Sequence, residues 1–337
     1  IRGVRDLWAE TTGVGSIRVA VLDGSVATDH CCFQGASLEV PDSFPGVSQE
    51  PGAMRTHGTM VASILFGQHG SPVQGLAPGC TGVILPVFRD GHRIPQIDVA
   101  RALDFAITSG AHVVNFSGGQ LVEEAEAEGW LESAMERCRK ENVLLVAAAG
   151  NDGCACLHLP AGLPAALAVG ALGDDGKPLE FSNFSDEYAS HGILAPGENI
   201  LGADPEGGTL RASGTSFAAP IVSGVAALLL GMQVQGGRDP DPGTVKKILL
   251  DTATPCEPSR GDECPRFLTG QLDIQGAIQA MKEHLAAPES KPFPTSADGT
   301  VAATAGSPPG LSESGVHQGP PAVEMPCGCG GGTGPLP

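Results

Sequence analysis

"SIRVAVLDGS", residues Ser16 to Ser25, is a run of apolar, largely β-branched side chains that stops at an acid and a glycine. A stretch this apolar has no wet face. It reads as a strand buried on both sides, Ile17 to Leu22, with Asp23 at its carboxyl end. The same pattern recurs downstream in "GVILPVF", "AHVVNFSGG", "NVLLVAAAGN", "ALAVGAL" and "GILAPG". Helical periods alternate with these strands. "HGTMVASILFG" reads as a helix opening at His57 and stopping at Gly67, and "IDVARALDFAITSG" as one closed by Gly110. "GWLESAMERCRKE", "SFAAPIVSGVAALLLG", "DPGTVKKILLDTA" and "LDIQGAIQAMKEHL" follow as further helices. Apolar strands alternating with helices predict an α/β fold of three layers, a mainly parallel central sheet with helices on both faces. Ligands meet such sheets outside the carboxyl ends of the strands. Asp23, Ser117 and Asn151 each lie just past a strand end.

Composition narrows the function. Of 337 residues, 41% are hydrophobic and 17% charged, enough to bury a large core. A net charge of −19 repels phosphate backbones and argues against a nucleic-acid partner. No unbroken run of 18 apolar residues is present, so no membrane span is expected. The first residues lack the apolar stretch of a signal peptide, and a cytoplasmic location is expected. From Pro288 the last 50 residues hold ten Pro and ten Gly, a composition that cannot offset its ordering entropy. The expected organisation is a domain over 1–287 and a flexible tail or linker over 288–337. The ten cysteines show no paired CxxC pattern for zinc, and mostly free thiols are expected. Cys154 and Cys156 follow Asn151 closely and Cys138 lies one helix earlier, so a bridge is plausible there.

"SGTSFAAPIVSG", Ser213 to Gly224, places Ser216 where a helix begins. A helix N-terminus points free N–H groups at its first residues, and Gly214 leaves the approach open. A serine nucleophile further needs a base, an orienting acid and an oxyanion donor. Nine histidines compete for the first role. His57 stands out because Gly58 and Thr59 follow it at the mouth of an apolar helix. His158, close after Cys156, is a weaker candidate, and His112 reads as structural at a strand start. Taken singly, Asp23 before Gly24 is a turn aspartate and Asn151 after Gly150 a turn asparagine. The ordered set is more informative than its members.

"AVLDG", "THGTMVAS", "AAAGND" and "SGTSFAAPIVSG" together resemble the subtilisin-like serine proteases, in the same chain order of Asp, His, Asn and Ser. The resemblance runs from about Gly13 to Leu285. By position it implies Ser216 as nucleophile, His57 as general base and then acid, and Asp23 as the group orienting the imidazole. The Asn151 side chain and the Ser216 N–H would form the oxyanion hole. Ser117, Gly118 and Gly119 would pair with an extended substrate and line its primary pocket. Ala149 and Gly150 would form a second wall, with Pro160 and Ala161 near the base. Acyl transfer of this kind needs no cofactor and no metal. With neutral His57 as base, activity is expected to rise through a pH near 6.5. Gly24 departs from the family, where many members carry a hydroxyl residue after the Asp.

Longer stretches, among them "FGQHGSPVQGLAPGC" and "AAAGNDGCACLHLPAGLPAALAVGAL", resemble the PatA/PatG group of cyanobactin maturation proteases, which process ribosomally made precursor peptides. One branch removes the leader. The other joins the new carboxyl end to the core's amino terminus and releases a macrocycle. The macrocyclising branch resembles a protease with a helical cap inserted between the Asp and His motifs. Here 33 residues separate Asp23 from His57, and "QGASLEVPDSFPGVSQEPGAMR" has no amphipathic period. An open cleft admits water to the acyl-enzyme and favours hydrolysis. The expectation is a leader-removing serine endopeptidase of the PatA type. The alternatives are a macrocyclising transamidase on the same scaffold and a non-catalytic scaffold that holds the precursor. The resemblance also implies a linker and a small further domain after the catalytic one.

Overall fold

The apolar runs lie side by side as parallel strands, as burial on both faces requires. The computed structural model describes residues 1–42, 51–123 and 126–288. The elements begin with α1 (Val4–Glu10), β1 (Arg18–Asp23), β2 (Ser37–Glu39), α2 (Ala53–Phe66), β3 (Thr81–Pro86), α3 (Gln96–Thr108), β4 (Val113–Phe116) and β5 (Gln120–Val122). Next come α4 (Gly129–Lys140), β6 (Leu144–Ala148), β7 (Leu157–Leu159), β8 (Leu167–Leu172), β9 (Gly192–Pro196), β10 (Ile200–Ala203) and β11 (Thr209–Ala212). The last three are α5 (Thr215–Gln235), α6 (Pro242–Asp251) and α7 (Ile274–Ala286). Seven strands form one sheet in the order β2-β3-β1-β4-β6-β8-β9. Every pairing in it is parallel.

Alternate residues of β1 feed opposite faces. Val19 and Val21 pack with α2, α5, α6 and α7, whereas Ala20 and Leu22 pack with α3 and α4. The sheet is therefore the middle of three layers. Helix α5 is the axis of the first face. Its 21 residues are long and apolar enough to cross a bilayer, but 94% of its most apolar window is buried inside the fold. Helix α1 docks on α7, with Leu7 fully buried, Lys282 paired to Glu10 at 2.7 Å and Gln275 bonded to Asp6 at 2.8 Å.

Several elements differ from the expectation. Strand β2 is short, half-exposed and on the edge, so it carries no apolar run. The pairs β5–β7 and β10–β11 are small antiparallel ribbons outside the main sheet. Helix α2 opens at Ala53 rather than at His57, which sits in its second turn. The reason is a long-range one: Asp90 Oδ1 accepts the Met54 N–H at 3.0 Å and completes a first turn that has no cap of its own. Mostly free thiols is also overturned. Cys154–Cys156 and Cys256–Cys264 are disulfides and Cys31 is disulfide-bonded, while Cys32, Cys80 and Cys138 are buried free thiols. The bridge thus forms within the Cys154–Cys156 pair, without Cys138. Residues 43–50 of the Asp–His connection and 289–337 of the expected tail lie outside the described residues.

Candidate active site

Asp23 ends β1 between β3 and β4, at the carboxyl edge of the sheet, and is fully buried. Its Oδ1 accepts from Gly24 N–H and from His57 Nδ1, both at 2.7 Å. Its Oδ2 has no partner among the described residues. Gly24 explains why no hydroxyl follows the acid here. A Cβ at this position would lie 1.8 Å from the Met54 carbonyl oxygen, so α2 can reach Asp23 only across a glycine. Gly58 repeats the device from the helix side, with a Cβ there falling 2.5 Å from the Gly24 oxygen. Two glycines in contact set the height of α2 over the turn, and with it the position of His57.

The His57 side chain is 21% exposed. Burial disfavours its charged form, but the Asp23 charge and hydrogen bond outweigh this and hold the ring's pKa above the ordinary 6.5. With Nδ1 on Asp23, the ring's other nitrogen is free for a substrate-side partner. The ring packs against Phe217 with centroids 5.3 Å apart. Phe217 follows the half-buried Ser216, so this contact docks the first turn of α5 on the His57 ring. Gly214 is the N-cap, which leaves Ser216 at the second helical position, where the N–H has no intrahelical acceptor.

Asn151 comes to the same point from the end of β6. Its Oδ1 accepts the Thr215 N–H at 2.9 Å and the Thr215 hydroxyl at 3.0 Å. That commits the amide oxygen, so its Nδ2 faces the N-cap of α5, 3.6 Å from where a Gly214 Cβ would stand. Thr215 was not singled out from the sequence; the only signal is its place between Gly214 and Ser216. Gly150 adopts φ of 105° and supplies the turn.

Ser117, Gly118 and Gly119 line a cleft of about 460 Å³ that begins at His57. Met54, Phe88, Ile94 and Leu121 give it apolar walls, and His92 and Arg93 its basic ones. Ser117 itself is buried and bonded to Asn115 at 2.8 Å, which Ser223 holds at 2.9 Å, so the edge presents backbone rather than hydroxyl. Ala149 and Gly150 do not line this cleft; Gly150 faces Gly119 across the ring of His158. His112 is structural, as expected, accepting from the Arg18 N–H at 3.2 Å. Among the described residues no cluster of three or more His, Cys, Asp or Glu side chains could hold a metal.

The subtilase family model matches residues 15–285. The chain belongs to the subtilase family. It is a serine protease of the subtilisin type. This subtilase is 34% identical over 220 residues to subtilisin BL of Lederbergia lenta, covering 65% of this chain and 77% of that one. Against the thermostable alkaline protease of Halalkalibacterium halodurans it is 32% identical over 215 residues, covering 63% of this chain and 56% of that one. The chain thus spans little over half the length of some of its curated relatives. Among solved structures, the prenylagaramide maturation protease PagA is 55% identical with a TM-score of 0.78, covering 83% of this chain and 99% of its own. The patellamide maturation protease PatA is 54% identical with a TM-score of 0.75, covering 80% and 98%. The PatG macrocyclase in complex with peptide reaches the same TM-score of 0.78 at only 33% identity, covering 83% and 96%.

Proposed function

We propose that this subtilase removes the leader from a ribosomally made cyanobactin precursor peptide by hydrolysis through an acyl-enzyme. The observation that carries the reading is the graded similarity: 54–55% identity to the maturation proteases PagA and PatA, against 33% to the PatG macrocyclase. The Asp–His connection supports the same branch. Its described residues hold only a single 3-10 turn at Cys31–Phe33, the short strand β2 and the first turn of α2.

In this reading the peptide lies extended along Ser117–Gly119 in the cleft beside His57. His57 takes the Ser216 hydroxyl proton as the oxygen attacks the scissile carbonyl. Asp23 holds Nδ1, fixes the tautomer and stabilises the imidazolium. The oxyanion is met by the Asn151 amide and the Ser216 N–H. His57 then gives the proton to the leaving amine. Water, deprotonated by the same ring, releases the leader as a free acid. Precursor peptides of this kind are made in the cytoplasm, and the enzyme is placed there with them.

Mass spectrometry of a precursor peptide incubated with the protein tests the proposal. Linear leader and core fragments are expected. A product lacking one water relative to the linear core would assign the macrocyclising branch instead. An intact precursor, together with no fluorophosphonate labelling of Ser216, would leave only a scaffold.

A further inference from the structure

His158 stands between Gly119, at the end of the cleft that begins at His57, and Gly150 beyond it. A Cβ added at Gly119 would lie 2.8 Å from both Cβ and Nδ1 of His158. One added at Gly150 would lie 2.8 Å from its Cδ2 and Cγ. Both real Cα atoms are therefore in contact with the same side chain, and the ring bridges the gap from wall to wall.

Three sets of bonds fix the ring there. Strand β7 pairs with β5 so that His158 lies opposite Leu121, two residues beyond Gly119. The His158 N–H donates to the Tyr188 hydroxyl at 2.9 Å, and that hydroxyl donates to the Ala149 carbonyl at 3.2 Å. Nε2 donates to Asp152 Oδ2 at 2.6 Å, an oxygen that also accepts from Asn183 Nδ2 at 2.9 Å. The Asn183 and His158 bonds hold the Asp152 carboxyl below its usual range. Asp152 is thus an ionised brace, and a bond to a charged acceptor is roughly twice as strong as a neutral one. A large side chain entering between the walls must break that bond and push the ring off its strand.

We propose that His158, braced by Asp152, is a specificity-determining residue at the Gly119 end of the cleft: it fills the space between Gly119 and Gly150 and restricts the residue on the amino side of the scissile bond to a small side chain. The proposal rests on the proteolytic reading above. It works by exclusion, the negative half of specificity.

The test is a peptide series identical except at that residue, carrying Ala, Ser, Leu or Phe. The readout is the ratio of kcat/KM for Phe over Ala, which does not depend on how much enzyme is folded. In the unmodified enzyme Ala and Ser are expected to exceed Phe by about 100-fold, the scale on which a filled pocket rejects an oversized group. In His158→Ala the Phe/Ala ratio rises at least about tenfold. Asp152→Asn moves it the same way by less, and His158→Gln, which refills the space, keeps the original preference. An unchanged ratio in His158→Ala, in protein that still labels with a fluorophosphonate, overturns the proposal and leaves the protease reading standing. Failure of the unmodified enzyme to cleave any peptide overturns both.

Discussion

Thr215 directs both its backbone N–H and its hydroxyl onto one atom, the Oδ1 of Asn151, at 2.9 and 3.0 Å. Its hydroxyl also accepts the Gly150 N–H at 3.3 Å. An amide side chain can turn over and exchange its oxygen for its nitrogen. Here two donors on the oxygen side forbid the exchange and keep the NH₂ group facing the mouth of α5. The residue before the proposed nucleophile thus positions the proposed oxyanion donor.

Asn151→Ala is expected to lower kcat by about 10²–10³, the usual loss of one oxyanion donor. Thr215→Val, which keeps the shape but loses the hydroxyl, is expected to cost about tenfold through a misaligned amide. The two act on one interaction, so the double variant should be little worse than Asn151→Ala alone. Measuring kcat for all three on one leader peptide checks this. Additive losses would separate Thr215 from Asn151.

Because Asp23 holds the His57 pKa above 6.5, the alkaline rise in kcat/KM should be centred above that value rather than on it. The same shift makes a statement about stability. A raised histidine pKa contributes stability that is complete below the unfolded value and is lost as pH climbs through the folded one. Asp23→Asn removes the charge that raises the pKa. It should move the rise in kcat/KM to lower pH and reduce kcat by about 10⁴. A pH–rate profile of both proteins reads the shift directly.

Gly24→Ser would restore the hydroxyl found elsewhere in the family after the Asp, and would give Asp23 Oδ2 a neighbouring donor. It should still destabilise the protein. The new Cβ would overlap the Met54 carbonyl, a backbone atom at 1.8 Å that has to move with its helix. A loss of about 1–3 kcal/mol, the range for overpacking, is expected in denaturant melts. A drop in activity should accompany it as α2 lifts His57 away. A variant as stable as the parent would mean that the helix start yields freely.

Loss of the Cys154–Cys156 and Cys256–Cys264 bridges should be tolerated. The closed loops are short, with sequence separations of 2 and 8, and loop-closure entropy then gives only about 2 and about 3 kcal/mol. Reduced protein is expected to melt earlier but to retain kcat/KM at moderate temperature. Assay with and without a thiol reductant, alongside thermal melts, tests this.

The parallel strands and the helices on both faces were legible because two-sided burial writes itself as unbroken apolar runs, as in Leu144–Ala148 and Leu167–Leu172. The meetings of Asp23 with His57 and of Asn151 with the start of α5 follow the chain order read from the motifs, although His57 lies in the second turn of its helix rather than at its end. What escaped the sequence was set by distant partners. Asp90 moves the start of α2 forward to Ala53, and nothing local announces it. Strand β2 is held by pairing with β3 and by distant side chains, Arg18 on Glu39 and Thr81 on Ser37, rather than by an apolar run. His158 could be noticed near Cys156, but its seat between Gly119 and Gly150 depends on the β5–β7 ribbon, which two three-residue strands could not signal.

The docking of α1 on α7 has a topological consequence. The first and last helices of the described fold lie against each other, with Glu10 reaching Lys282 and Asp6 reaching Gln275. The two helices run in the same direction, Gly3 beside Ile274 and Glu10 beside Lys282, so a linker from residue 288 back to residue 1 would run the length of α7, about 20 Å, along the outside of the helical layer. A circular permutant opened at an exposed hairpin tip, between Gly207 and Gly208, should keep the same strand order and the same meeting of Asp23 with His57.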